Sequence, residues 1–254
     1  MATRIAVIDA SLGDTPAERN LTREVDATTT VFKVSDGELP PAVDGDWPFE
    51  GIVISGSQSS VYEDRSWIAR LTEWFRTAQT ALVPALGVCW GHQFIAQALG
   101  GRVVAMDEYE LGYTTIDRYG PDPVMAQIPA SFVAFETHSD RVAELPPGAV
   151  PLAGNTTGVQ AFRAGTAVGV QFHPEYDRQT AEMVTQRKES VSDERIESVL
   201  ADITERRVAE AEAAKRVFDG FVDYVDTFDQ AQALKTARQD AGRIDTSRSP
   251  GYRR

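Results

Sequence analysis

A chain of 254 residues, 42% hydrophobic with 19 glycines and 13 prolines, suits one sizeable α/β core and leaves little for a second domain. Its formal net charge of −13 argues against nucleic acid and anionic membrane as partners, because both select a basic surface. No apolar run approaches the roughly 18 residues of a membrane span, and Ile5-Ala6-Val7-Ile8 is too short for a signal-peptide core, so the chain reads as soluble and cytoplasmic.

In chain order the pattern is β-α-β-β-α-β-α, then a run of short strands, then helices. Residues 4–9 predict a strand. Thr15-Pro16-Ala17-Glu18 combines a capping box with a proline at the first helical position, which predicts a helix start. Residues 31–34 and 51–55 read as strands on either side of a turn-rich stretch containing Gly37, Pro40, Pro41 and Gly45. Ile68, Leu71, Phe75 and Ala78 mark an amphipathic helix entered near Ser66. The apolar run 81–88 predicts a buried strand. It turns into a helix carrying Phe94, Ile95, Ala98 and Leu99 and ending at Gly100-Gly101.

Further short strands are expected at 102–105, 111–117, 132–136, 150–153, 158–162 and 167–172. Beyond Glu175, one helical stripe comprises Ile196, Val199, Leu200 and Ile203, and another Phe218, Phe221, Val222 and Val225. Ser192 and Thr204 are the expected N-caps. Residues 1–228 read as one domain with an extra helical segment at 178–206, and residues 229–254 as a mobile tail. Parallel strands with crossover helices, followed by short strands, predict a doubly wound, mostly parallel α/β sheet flanked by helices. An antiparallel extension and extra C-terminal helices complete it.

Cys89, the only cysteine, sits in Gly87-Val88-Cys89-Trp90-Gly91-His92-Gln93, where a strand turns into a helix between two glycines. A lone cysteine is more commonly an inert core thiol. Here the spacing is that of a nucleophile elbow with Cys in place of Ser. A later motif, Gln171-Phe172-His173-Pro174-Glu175, supplies an imidazole base and a carboxylate two residues on to orient it.

These two motifs, together with Ser55-Gly56-Ser57 after an apolar strand and Thr137-His138-Ser139-Asp140-Arg141-Val142, resemble class I glutamine amidotransferases. The last stretch is similar to that of the amidotransferase domain of GMP synthetases. The resemblance covers roughly residues 1–176 and implies a flavodoxin-like domain with glutaminase chemistry. On that basis Cys89 attacks the side-chain amide of glutamine, His173 moves the protons and Glu175 orients His173. The N–H of Trp90 and the Gly56-Ser57 loop are the expected oxyanion donors. By resemblance, Gln93 and the backbone around Ser139 and Asp140 hold the α-amino and α-carboxylate groups of glutamine.

No phosphate-loop or dinucleotide fingerprint occurs, so no cofactor is expected and no synthetase half is read in the chain. Ammonia would then pass to a separate, transient synthetase partner. Alternatively, the chain is a stand-alone γ-glutamyl peptidase or hydrolase with the same triad, or a non-catalytic relative. No metal site is expected either, because the cysteine is committed and histidines 92, 138 and 173 show no ligand spacing. His92 reads as a packing residue, and by resemblance His138 shapes the pocket. Glu63-Asp64 and Asp107-Glu108-Tyr109-Glu110 read as solvated loops. Lysine occurs only at 33, 188, 215 and 235. An acidic, lysine-poor surface is what a halophile's cytoplasm favours, although an ordinary acidic enzyme has the same composition.

Overall fold

A computed structural model describes the backbone of residues 2–245 and the side chains of residues 2–232. The order is β1 (Arg4–Asp9), α1 (Ala17–Glu24), β2 (Thr28–Lys33), β3 (Gly51–Ile54), α2 (Ser66–Thr80), β4 (Ala85–Val88) and α3 (Trp90–Ala98). Then follow β5 (Arg102–Arg118), β6 (Ser131–Glu144), β7 (Val150–Asn155), β8 (Gly158–Ala164) and β9 (Ala167–Val170). Helices α4 (Arg178–Gln186), α5 (Asp193–Asp202), α6 (Glu205–Ala211) and α7 (Arg216–Asp245) complete the described chain. One nine-stranded sheet runs β2-β1-β3-β4-β9-β8-β7-β5-β6. Its first five strands are parallel and the rest pair antiparallel, the expected doubly wound sheet with an antiparallel extension.

Strand alternation divides the core. Ile5 and Val7 face a cluster with Leu21 of α1 and Val217, Phe218, Phe221 and Val225 of α7. Ala6 and Ile8 face the opposite cluster, with Leu71 and Phe75 of α2 and Phe94 and Ile95 of α3. Phe218 and Phe221 are essentially inaccessible, and each such burial contributes roughly 1.5–3 kcal/mol. Thus α7 closes one face of the sheet. A third, smaller cluster joins Ala181 of α4, and Val199 and Ile203 around α5, to Leu111 and Phe135. It seats the extra helices over the β5–β6 ribbon.

Several local expectations are corrected. Thr15 does not form the capping box: its hydroxyl donates to the Ser11 hydroxyl at 2.7 Å and accepts only a long contact from the Ala17 N–H at 3.4 Å, and Pro16 is the residue before the helix. Residues 102–105 and 111–117 belong to a single strand, with an irregularity between Ala105 and Glu110. Strand β6 runs well past Glu136, through Thr137–Asp140. Helix α7 continues to Asp245, so residues 229–245, read as tail, are helical; residues 246–254 lie outside the described residues. Ser192 and Thr204 cap α5 and α6 as predicted, each accepting a backbone N–H.

Candidate active site

The carboxyl ends of parallel strands β1, β3, β4 and β9 lie side by side, with Ile54 opposite Gly87 and Val88 opposite Val170. The segments that leave these ends line one cavity of about 510 Å³. This is the position at which open α/β sheets bind ligands, and the volume lies within the roughly 300–1,000 Å³ of small-molecule pockets.

Cys89 joins β4 to α3 with φ 52° and ψ −102°. A non-glycine residue at positive φ is strained and persists only where its surroundings hold it. Here the Cys89 N–H donates to the Val170 carbonyl at 2.8 Å, and its carbonyl accepts the Gln93 N–H at 3.1 Å. The flanking glycines follow from contact distances. A Cβ on Gly87 would lie 2.4 Å from the Gly91 carbonyl, and one on Gly91 would lie 2.5 Å from the Ile54 oxygen. The buried sulfur faces the Thr137 carbonyl at 4.0 Å.

His173 is fixed from three sides. Its N–H donates to the Phe135 carbonyl at 2.8 Å, its Nδ1 meets Glu175 Oε1 at 2.8 Å, and Tyr176 stacks on the ring with centroids 4.1 Å apart. Arg23 of α1 donates to the Glu175 carbonyl and to the Asp177 carboxylate, both at 2.7 Å, and so ties down the loop. Burial disfavours charging the ring, but the Glu175 carboxylate and the Cys89 sulfur outweigh it and push the His173 pKa up to about 10. This exceeds an unfolded value of roughly 6.5, so the ring contributes stability fully below about pH 6.5 and loses it as pH rises through the folded value. We expect the melting-temperature advantage of wild type over His173→Gln to shrink as pH is raised from about 6 to about 10. A gap independent of pH would contradict this electrostatic account.

The cavity brings together all nine residues singled out in the sequence: Cys89, His173, Glu175, Gly56, Ser57, Trp90, Gln93, Ser139 and Asp140. A Cβ on Gly56 would lie 3.1 Å from His173 Cε1 and 3.7 Å from Cys89 Cβ, so this loop passes directly over the pair. Trp90 is the first residue of α3, where a backbone N–H has no partner inside the helix. The Gln93 amide donates to the Asp140 carbonyl at 2.9 Å and to Gln171 Oε1 at 3.0 Å, bracing the β6 wall. Ser60 and Tyr62 donate to the Asp140 carboxylate at 2.5 and 3.0 Å, while Ser139 is exposed at the mouth.

Sequence reasoning missed part of the lining. Tyr109, Tyr176, Met183, Val184, Arg187 and Lys188 also bound the cavity. It also misread Glu110, which is no solvated loop residue. Glu110 accepts from Asn155 at 2.7 Å and Thr157 at 2.5 Å, and lies 3.0 Å from His138 Nε2. Glu136, fully buried, lies 3.3 Å from the same nitrogen. His138 Nδ1 meets the Asp140 carbonyl at 2.9 Å. One ring nitrogen faces a carbonyl and the other faces two carboxylates, so both must carry protons. Burial opposes that charge, but Glu110 and Glu136 raise the His138 pKa well above its usual value. Glu110, Glu136 and His138 place three potential metal ligands within 4.8 Å of one another, a proximity that residue spacing did not reveal. A cation held by this trio would have to displace the Nε2 proton. His92 packs edge-on against Phe162, and burial lowers its pKa to about 3.

The family profile described as glutamine amidotransferase class-I matches residues 6–190, and the chain belongs to that family. It is 37% identical over 145 residues to a glutamine-hydrolysing GMP synthase of Thermomicrobium roseum, covering 54% of this chain and 26% of that protein. It is 35% identical over 155 residues to gamma-glutamyl peptidase 4 of Arabidopsis thaliana, covering 58% of this chain and 61% of the peptidase. The matches thus span about a quarter and three fifths of those relatives. Among solved structures, a glutamine amidotransferase from Methylobacillus flagellatus superposes with TM-score 0.73 at 20% identity, over 88% of this chain and 96% of that one. A glutamine amidotransferase from Thermotoga maritima gives 0.72 at 19%, over 87% and 99%. Both likenesses concern the fold. No described helix is long and apolar enough to cross a membrane.

Proposed function

We propose that the chain hydrolyses the side-chain amide of glutamine through a γ-glutamyl thioester on Cys89. The observation that carries this is the strained Cys89 elbow facing a His173 held at 2.8 Å by Glu175, inside one cavity. The sulfur adds to the amide carbon, and the Trp90 N–H and the Gly56-Ser57 backbone stabilise the oxyanion. His173 protonates the departing nitrogen, and ammonia leaves. It then takes a proton from water, which attacks the thioester and releases glutamate. Glu175 holds His173 in the required orientation. The chemistry runs on these side chains alone, and the setting is the cytoplasm.

Ammonia goes to a separate synthetase. The segment beyond α4 carries Arg187, Lys188, Glu189, Asp193, Glu194 and Arg195, a charged rim that suits a transient partner better than an obligate apolar interface. The isolated chain therefore has modest glutaminase activity. A second reading, a γ-glutamyl peptidase, is favoured by one observation: the cavity extends past the triad onto Met183, Val184 and Arg187. Steady-state hydrolysis of glutamine against γ-glutamyl dipeptides separates the two. Dipeptide turnover higher by about a hundredfold, ~2.7 kcal/mol in the barrier, would favour the peptidase.

The charge of −13 with only four lysines motivates a salt prediction. Screening weakens long-range repulsion and local ion pairs together, but exposed pairs contribute only about 0–1 kcal/mol each. If the surface is adapted to a halophile's cytoplasm, the melting temperature rises from dilute buffer to molar KCl. A flat or falling trend removes that reading.

A further inference from the structure

We propose that Arg187 and Lys188 form a carboxylate receptor in the cavity and thereby select γ-glutamyl substrates by their charge. This rests on the reading of the cavity as a γ-glutamyl site. Among the described residues, these two are the only arginine or lysine side chains that line the cavity, and neither makes an ion pair there. The contrast with the other described lysines is informative: Lys33 holds Asp9 at 2.9 Å, and Lys215 holds Glu212 at 2.9 Å and Glu24 at 3.6 Å. In a chain with 38 acidic residues, a cation that meets no carboxylate is available for one from outside.

Lys188 is also positioned. Its ammonium donates to the Tyr109 hydroxyl at 2.5 Å and lies 4.9 Å from that ring's centroid. The Tyr109 hydroxyl meets Thr137 Oγ1 at 3.1 Å, and the Thr137 carbonyl is the group facing the Cys89 sulfur. The cation is therefore braced against the wall beside the nucleophile. Arg187 is exposed and has no partner among the described residues, so its planar fork is free to take a carboxylate in two-pronged fashion.

The long-range field gives the pair a reason. Glutamine is neutral overall, but a γ-glutamyl amino acid carries a net negative charge and is repelled by a protein of net charge −13. Two cations at the cavity offset that repulsion locally. The competing account is that they only complement the carboxyl end of α4, where the Lys188 N–H meets the Thr185 carbonyl at 3.2 Å. That account predicts no effect on ligand binding.

The test is calorimetric titration of the full-length Cys89→Ala protein, which cannot turn its ligand over, with and without R187Q and K188Q together. The ligands are γ-glutamylglycine, γ-glutamyl methylamide and glutamine. We expect the double substitution to weaken γ-glutamylglycine by about tenfold to a hundredfold, with the melting temperature kept. If the methylamide is unaffected, the carboxylate recognised is that of the leaving group. If the methylamide and glutamine weaken equally, the pair reads the α-carboxylate that all three ligands share, and the selection by charge is overturned. Unchanged affinity for all three, or no binding by the parent protein, overturns the proposal. Hydrolysis by the wild-type chain is scored separately: binding that depends on the two cations without turnover sinks the hydrolase reading and leaves the receptor standing.

Discussion

We expect Cys89→Ala to remove the proposed hydrolysis of glutamine and of γ-glutamyl compounds, by roughly 10⁴-fold or more, while the protein still folds. The asymmetry comes from what the sulfur does in each state. In the fold it is one small buried atom, and its loss leaves a void costing about 1 kcal/mol. In the proposed reaction it is the nucleophile, and nothing else in the cavity replaces it. His173→Ala has nearly the same effect, because groups that act as a unit do not lose activity additively. Glu175→Gln leaves measurable activity, since the ring keeps its stack on Tyr176 and its anchor to Phe135. Steady-state rates paired with a thermal melt decide the matter. Wild-type turnover in Cys89→Ala would falsify the mechanism.

Gly87→Ala is expected to destabilise the fold at the elbow itself. The added methyl lies 2.4 Å from both the carbonyl carbon and oxygen of Gly91 and 2.7 Å from Ile95 Cδ1. Two of those atoms are backbone, so β4 and α3 must move apart at the point where they hold the elbow. Overpacking of this kind costs roughly 3 kcal/mol, about 6–12 °C in melting temperature for a chain of this size. Gly56→Ala is the instructive contrast. Its methyl meets only the side-chain atoms of His173 and Cys89, at 3.1 and 3.7 Å, in a loop. Stability is kept, and kcat/KM falls by roughly a hundredfold through displacement of the base. Equal melting temperatures for the two variants would contradict this division.

Much of this architecture was legible because it follows from short-range rules. Gly87, Cys89 and Gly91 announce a turn that only small residues allow, and the contact distances give the steric reason. The period-two pattern also held information that went unread. Phe132, Ala134, Glu136, His138, Asp140 and Val142 alternate along β6 and are all buried, so Glu136 and His138 belonged to an inward face. The expected strand stopped at Glu136 because polar residues interrupt the apolar run. Tertiary pairing with β5 carries the strand onward regardless. Lys188 and Tyr109 are 79 positions apart, and no local pattern couples them. The helical character of 229–245 escaped because its apolar residues lack regular spacing; α7 there continues a helix whose first turns are anchored by Phe218 and Phe221.

The strand order has a consequence for biosynthesis. Among the described residues, strand β9 is the sole ladder link between the parallel half of the sheet and its antiparallel half, and it is the last strand to leave the ribosome. Until then β4 and β8 each present an open edge, the kind of surface that invites pairing with the wrong chain. The segment that closes this gap also delivers His173 and Glu175 only a few residues later. A growing chain therefore carries Cys89 without His173 until the sheet is nearly whole, and in the proposed mechanism the thiol gains its base by the same event that seals the seam.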